Sequence, residues 1–181
     1  MKVISGFLRG REIKGYTIDG TRPTMDRVKE SMFAIVQDYI KDSVCLDLFA
    51  GTGNLGIEAI SNGAKKVYFN DRNKVAVKMI KDNLEKFGIS DKADVIKMDY
   101  IDAIEYYKEN RIKFNIILLD PTYDNHVIND ILKLIYRKKL LKKNGIVICE
   151  FQNEEISTEY FTVERQKTYG YRKVCIYTEK K

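Results

Sequence analysis

The sequence predicts an α/β protein built on an open, twisted and mostly parallel β-sheet. Short apolar runs alternate with segments of helical periodicity through most of the 181 residues, which is typical of βαβ units. Runs such as VCLDLF, FNIILL and GIVICEF are continuously apolar, as expected of parallel strands buried on both faces. A glycine-rich turn, GTGNLG, follows the first of them. In such sheets ligands bind beyond the carboxyl ends of the strands.

The elements are predicted in chain order from these patterns. Residues 1–22 alternate and are broken by glycines, which predicts a short N-terminal arm or hairpin, and the core then covers 23–181 of a single domain. Helical spacing begins at Pro23-Thr24, a helix-start signal. Five predicted strands alternate with four helices. Two further strands follow in the tail and are joined by a turn at Tyr169-Gly170. Because the tail has no helix between its strands, we expect these two strands to close a seven-stranded sheet as an antiparallel pair. The strands are VCLDLF, KKVYFND, ADVIKMD, KFNIILLD, GIVICEF, YFTVERQ and RKVCIYT, and the helices are GIEAISNG, NKVAVKMIKDNLEKFGI, IDAIEYYKEN and residues 127–139.

Composition narrows the classes of function. The net charge of +6 and a pI of about 9.0 favour a polyanionic partner. The basic stretch KLIYRKKLLKK at 133–143 contributes to this charge, although a solvated helix face explains it equally well. The longest apolar runs are too short for a membrane span, and MKVISGFLRGREIKG lacks the apolar core of a signal peptide. We therefore expect a cytoplasmic protein without a membrane span. Its small size and the lack of an evident apolar stripe predict a monomer.

The cysteine and histidine content argues against a metal site. Cys45, Cys149 and Cys175 are widely spaced in apolar runs, and the chain has one His. Zinc sites need closely spaced ligands. Buried, reduced thiols are the expected state of the three cysteines.

Acids stand at or near the ends of the first four predicted strands: Asp47, Asp71, Asp99 and Asp120. Asp47 precedes the glycine turn, where a carboxylate would repel a pyrophosphate but attract an ammonium group. Asp71 is placed to accept hydrogen bonds from ribose hydroxyls, and Asp99 to accept from an adenine amine. S-adenosylmethionine has all three of these groups. Each acid taken alone could equally be a turn or cap residue.

The stretch Asp120-Pro121-Thr122-Tyr123 suggests the chemistry. Pro121 prevents the preceding strand from continuing and biases Asp120 towards extended geometry. Carboxylate and carbonyl acceptors beside an aromatic ring suit a flipped base that carries an exocyclic amine. The alternative is a proline turn with a half-buried Tyr123. His126 lies nearby as a candidate general base, although a His at a helix start is the simpler interpretation.

These motifs resemble those of known methyltransferases. Asp47-Leu48-Phe49-Ala50-Gly51-Thr52-Gly53 resembles the cofactor loop of class I S-adenosylmethionine-dependent methyltransferases, which have a Rossmann-like fold. Asp120-Pro121-Thr122-Tyr123 resembles the D/N-P-P-Y signature of amino-group methyltransferases. The segment RPTMDRVKESMF at 22–33 is similar to the R-P-T-x-x-R-V-(K/R)-E segment of the RsmD family, which methylates N2 of a guanine in small-subunit (16S) ribosomal RNA. Matches at 4–6, 9–11 and 169–170 extend the resemblance over nearly the whole chain.

The resemblance implies a role for each matching residue. It implies S-adenosylmethionine as cofactor, and small-subunit rRNA, either free or within the assembled subunit, as partner. The implied cofactor residues are Asp47, Phe49, Gly51, Gly53, Asp71 and Asp99. The implied catalytic residues are Asp120, Pro121, Thr122 and Tyr123, and the implied contacts to RNA phosphate or to the closing pocket are Arg9, Arg11, Arg22 and Arg27. Thr122 departs from the usual second proline, which costs rigidity of up to about 1 kcal/mol but keeps the carbonyl acceptor.

Three other functions remain open on sequence alone. An adenine-N6 methyltransferase acting on DNA or RNA would also carry D-P-x-Y, although the R-P-T segment argues against it. A non-catalytic RNA-binding assembly factor would retain the fold, and Thr122 favours it. A dehydrogenase would use the glycine turn, but neither Asp47 nor Asp120-Pro121 has a clear purpose in one.

Overall fold

The computed structural model describes residues 1–15, 22–121, 127–152, 155–157 and 159–181, with the side chains of 22–25 excepted. Its helices alternate with strands as the sequence predicts. The helices are α1 (Arg22–Ile40), α2 (Asn54–Ser61), α3 (Lys74–Phe87), α4 (Tyr100–Glu109) and α5 (Ile128–Lys138), with a short 3-10 turn at Ser90–Lys92. In the described part of the chain, no helix is long and apolar enough to cross a membrane.

The strands are β1 (Val44–Asp47), β2 (Lys66–Asn70), β3 (Ala93–Ile96), β4 (Phe114–Leu119), β5 (Leu141–Phe151), β6 (Phe161–Tyr169) and β7 (Arg172–Glu179). They form one seven-stranded sheet in the order β3-β2-β1-β4-β5-β7-β6. The pairs among β1 to β5 are parallel, and β7 runs antiparallel between β5 and β6. This confirms the mostly parallel sheet with an antiparallel C-terminal strand.

The start of β5 differs from the prediction. The strand begins at Leu141 rather than at Gly145, because Leu141 pairs with Phe114 of β4 ahead of an irregularity in the register. The basic stretch 133–143 is therefore not one helix face, since α5 ends at Lys138 and the following residues enter the sheet.

Each face of the sheet carries its own core. The alternating side chains of the strands divide between the two faces. On one face, Cys45, Ile116, Ile148 and Val174 pack with residues of the N-terminal arm, α1, α2 and α3. On the other, residues such as Leu46 and Ile117 pack with α4 and α5. The three cysteines are buried, as predicted.

The N-terminal arm is a hairpin-like segment fixed to the first face. Lys2 and Glu12 form an antiparallel bridge. The buried carboxylate of Glu58 on α2 accepts hydrogen bonds from the backbone N–H groups of Ile4 and Ser5 and from the Ser5 hydroxyl. Glu58 also pairs with Lys29 of α1, with 3.0 Å between Nζ and Oε2. Two helices and the arm therefore meet at one buried ion pair.

Candidate active site

A cavity of about 470 Å³ opens where the parallel strands end. Its lining includes five residues that the sequence selected: Phe49, Gly51, Asp71, Asp99 and Pro121. The volume is in the range of cofactor and small-ligand sites. Loops that follow four different strands contribute to it, because the carboxyl ends of parallel strands meet at the same edge of the sheet.

Asp71 holds the glycine turn in place. Its Oδ2 accepts a hydrogen bond from the backbone N–H of Gly51 at 2.9 Å, and its Oδ1 accepts from Asn73 at 2.8 Å. Gly51 adopts a φ of 55°, a left-handed conformation that glycine adopts without strain. The acid at the end of β2 therefore braces the loop after β1 while it lines the cavity, and each carboxylate oxygen retains a lone pair for a ligand.

Asp47 is buried at the end of β1, beside the first turn of α2. Its Oδ2 accepts from the backbone N–H of Gly56 at 2.9 Å, while its Oδ1 is buried without a hydrogen-bond partner in the described structure. Burial raises the pKa of Asp47 to about 7, and the charge of Asp71 adds to this against the hydrogen bond from Gly56. A buried acceptor without a partner suits a cationic ligand group, which would favour the ionised carboxylate. Neither Asp47 nor Gly53 lines the cavity itself.

Asp99 is both a helix cap and a residue of the cavity wall. It is the N-cap of α4, and its Oδ1 accepts from the backbone N–H of Ile101 at 3.1 Å. It also lines the cavity, next to Tyr100. The rings of Tyr100 and Phe49 lie 5.7 Å apart and are tilted by 45°. An apolar, aromatic wall beside a carboxylate acceptor suits a heteroaromatic ring with an amino group.

The structure places Asp120 and Pro121 directly after β4, where the sequence expects the target amine. Pro121 lines the cavity and Asp120 is half-buried beside it. The pKa of Asp120 is raised to about 7, first by burial and then by the charge of Glu150, against the opposing charge of Arg172. Thr122, Tyr123 and His126 lie outside the described residues.

Of the arginines selected from the sequence, Arg9, Arg11 and Arg27 do not line the cavity. Arg9 is exposed on the arm. Arg11 donates to the carbonyl oxygen of Lys86 and lies over the ring of Phe87, 4.6 Å from its centroid. That contact is at the C-terminal end of α3, whose N-terminal end borders the cavity, so the two lie about 20 Å apart along the helix.

The other two arginines belong to α1. Arg27 is exposed on that helix, and the side chain of Arg22 lies outside the described residues. Arg11 thus lies far from the pocket, and its predicted contact would be to a distant part of a large ligand.

Sequence reasoning missed two sets of residues around the site. Asn70, the last residue of β2, donates to the carbonyl oxygens of Leu48 and Met98 and accepts from the N–H of Met98, each at 3.2 Å, so that it ties three strand ends together. Glu150 of β5 and Arg172 of β7 form an ion pair next to Asp120. The signal for Glu150 was visible, since it is the one acid in the apolar run GIVICEF.

The fold and the site together define a class I methyltransferase, whose methyl donor is S-adenosylmethionine. The residues fit that cofactor: Asp47 offers a buried acceptor, Asp71 and Asp99 offer carboxylates, and aromatic rings form one wall. Residues 1–178 match the family described as "Conserved hypothetical protein 95". The chain belongs to this family, which is the RsmD family that its motifs resemble.

Individual relatives agree with this assignment. The "Ribosomal RNA small subunit methyltransferase D" of Haemophilus influenzae is 35% identical over 94% of this chain and 89% of its own length. The protein of the same name from Buchnera aphidicola (strain APS) is 34% identical over 84% of this chain and 78% of its own. A crystal structure from Haemophilus influenzae, of a protein assigned as a methylase, superposes with a TM-score of 0.79 at 30% identity, covering 99% of this chain and 98% of that one.

Proposed function

We propose that this protein transfers a methyl group to the exocyclic N2 amine of a guanine in small-subunit ribosomal RNA. The observation that carries the proposal is the placement of Asp120, a half-buried carboxylate, beside Pro121 at the rim of the cofactor cavity. A carboxylate at that rim is an acceptor for an amine that must approach the methyl donor. The names of the curated relatives support small-subunit rRNA as the substrate, and the net charge of +6 suits a polyanion.

Three aspartates would bind the cofactor. S-adenosylmethionine, when bound, supplies an electrophilic methyl group on a sulfonium. Asp47 would receive its ammonium group, because the buried Oδ1 lacks a hydrogen-bond partner in the described structure. Asp71 would accept from ribose hydroxyls while it holds the N–H of Gly51. Asp99 would accept from the adenine amine, against the wall formed by Phe49 and Tyr100.

Asp120 and the carbonyl of Pro121 would orient the target amine. The lone pair of a guanine N2 amine is drawn into the ring, so the nitrogen is a weak nucleophile. Acceptors on its two hydrogens favour a pyramidal nitrogen and aim the lone pair at the methyl group, so that rate comes from positioning and electrostatics. The methylated nitrogen is a strong acid, and Asp120 can take its proton late because its pKa lies near 7. Tyr123 would stack on the base, and Thr122 would offer a carbonyl; both remain predictions.

We also propose that the protein acts in the cytoplasm as a monomer, with RNA as its macromolecular partner. The RNA would be either free or part of the assembled subunit. One methylation experiment tests the reaction and distinguishes these two substrates. Labelled S-adenosylmethionine is supplied with small subunits from cells that lack the enzyme, with naked small-subunit RNA, and with DNA. The methylated nucleoside is identified by mass spectrometry.

The expected product is N2-methylguanosine in the small-subunit RNA. N6-methyladenosine in RNA or DNA would instead support the adenine methyltransferase, and cofactor binding without any transfer would support the assembly factor. Asp120→Ala should abolish transfer and leave cofactor affinity nearly unchanged, because Asp120 faces the amine. Asp102→Ala, which removes an exposed acid from the first turn of α4, is the matched control and should leave both unchanged.

A further inference from the structure

Four ionisable side chains lie in a row on one face of the sheet at its carboxyl edge. Asp47 of β1 pairs with Leu118 of β4, so Asp120, two residues further along, points to the same face. Leu119 pairs with Cys149 in the parallel β4–β5 register, which brings the next residues, Asp120 and Glu150, side by side.

The row continues into the antiparallel strand. Glu150 lies opposite Val174 of β7, and Arg172, two residues away from Val174, is its diagonal neighbour on the same face. The guanidinium of Arg172 donates to Oε1 of Glu150. The side chains of Arg172 and Glu150 are 18% and 10% exposed, so this pair is screened by solvent far less than a surface ion pair.

The charges in the row oppose one another at Asp120. Asp47 and Glu150 each disfavour a negative charge on Asp120, whereas Arg172 favours it. Burial acts to lower the pKa of Arg172, but the hydrogen bond and charge of Glu150, a hydrogen bond with Tyr171 and the charge of Asp120 outweigh it and raise the pKa. Arg172 is thus held as a cation at the end of three carboxylates.

We propose that Arg172, fixed by Glu150, is a positioning residue that holds a positive charge beside Asp120 and so keeps Asp120 as the ionised acceptor for the target amine. The proposal rests on the function proposed above, because it gives Asp120 the amine as its ligand. It adds two residues from strands that carry none of the motifs of the site. Arg172 acts through Asp120 and is not among the residues that line the cavity.

The two halves of the ion pair should shift the Asp120 titration in opposite directions. Arg172→Gln removes the favourable charge, so the midpoint of Asp120 should rise by about one pH unit; Glu150→Gln removes an unfavourable charge, so it should fall by a similar amount. The double variant should return close to the wild-type midpoint. A purely structural role of the ion pair predicts that both single variants shift the midpoint in the same direction, because each of them breaks the same ion pair.

The first measurement needs no RNA. Carbon-13 NMR of labelled aspartate carboxyls follows the titration in each variant, and Asp120→Asn and Asp47→Asn assign the two resonances that titrate near neutral pH. Lys173→Gln is the matched control. It removes the same charge from the next residue of β7, which faces the other side of the sheet, and it should leave the midpoint unchanged. Arg172→Lys keeps the charge and should restore most of the wild-type value.

The second measurement is the pH dependence of kcat for methyl transfer, with KM recorded alongside. With a midpoint near pH 7, about half of Asp120 is ionised at pH 7 in the wild-type protein. A midpoint one unit higher leaves about a tenth ionised, so Arg172→Gln should lower kcat about fivefold at this pH. KM should change little. The profile is repeated in a His126→Gln background, because histidine also titrates near neutral pH. Thermal unfolding of each variant shows that it is folded.

The proposal is overturned if both variants move the Asp120 midpoint in the same direction, or if neither moves it. The proposal is supported if the two variants shift the Asp120 midpoint in opposite directions and the pH dependence of kcat shifts with it. If the NMR midpoints move oppositely while the wild-type protein methylates no RNA, the inferred charge arrangement stands and the guanine assignment fails. The two outcomes are therefore distinguishable.

Discussion

The buried ion pair between Lys29 and Glu58 should make Lys29 one of the most important residues for stability. Lys29→Met removes the positive charge and keeps the length of the side chain. The lysine Nζ lies 3.0 Å from Glu58 Oε2 and donates to the Lys2 carbonyl and to Asn54 Oδ1, each at 2.7 Å. Burial lowers the pKa of Lys29 even though the charge of Glu58 opposes it. The substitution therefore leaves Glu58 as a buried carboxylate without its cation.

The size of the loss in stability depends on the hydrogen-bond donors that Glu58 retains. Breaking a buried ion pair by removing one partner costs about 3–5 kcal/mol. Glu58 retains the N–H groups of Ile4 and Ser5 and the Ser5 hydroxyl as donors, which places the loss at the lower end, about 3 kcal/mol. For a domain of this size each kcal/mol lowers Tm by about 2–4 °C, so we expect a fall of about 6–12 °C.

Calorimetry or circular dichroism measures this change, and the chain offers a matched control. Lys78→Met removes a lysine whose Nζ lies 2.9 Å from Asp82, but whose side chain is 76% exposed, and it should leave Tm nearly unchanged. Adding Glu58→Gln to Lys29→Met should recover part of the loss, because it removes the uncompensated charge. Equal falls in Tm for Lys29→Met and Lys78→Met would refute the reasoning, as would a further loss in the double variant.

Three further predictions concern the site. Asp47 has a folded-state pKa of about 7, above the ordinary 3.8. Its protonation therefore favours the folded apo protein fully below about pH 4, and this contribution is lost as the pH rises to about 7. Asp47→Asn should flatten the fall of Tm between these pH values, and an unchanged slope would contradict the raised pKa of Asp47. Gly56→Ala places a Cβ 2.2 Å from Cε1 of Phe69, which should cost about 1–3 kcal/mol in denaturant unfolding; no loss would mean that the ring moves aside. Thr122→Pro should keep or raise methyl transfer in the labelled-cofactor assay, whereas complete inactivation would mean that the turn after Pro121 differs from that of the family.

The alternation of strands and helices could be predicted because it rests on local patterns. Continuous apolar runs and helical spacing are visible in any stretch of ten residues, and the described elements follow them closely. The start of β5 could not be predicted this way. Lys142, Lys143 and Asn144 are exposed and polar, and what brings them into a strand is the pairing of Leu141 with Phe114, a contact distant in sequence.

The candidate site divides in the same way. Asp71, Asp99 and Asp120 could be selected because each follows a strand, and parallel strands bring their ends together. Their hydrogen bonds to local backbone N–H groups could not be separated from ligand roles by sequence, and in Asp71 and Asp99 the two coexist. Arg172 was missed because the sequence does not give the strand order, and only the insertion of β7 beside β5 brings it to Asp120.

The position of β7 has a consequence for synthesis on the ribosome. This strand pairs with β5 and β6 at once, although it follows both in the chain. Until its residues have emerged, β5 has an open edge and Glu150 lacks its cation. The residues of the cofactor loop and Asp120 precede Glu150 and Arg172 in the chain, so the acidic edge around Asp120 is completed only after Arg172 has been added. A polypeptide stalled before this point would therefore contain the cofactor-loop residues and Asp120 but lack the cation that pairs with Glu150.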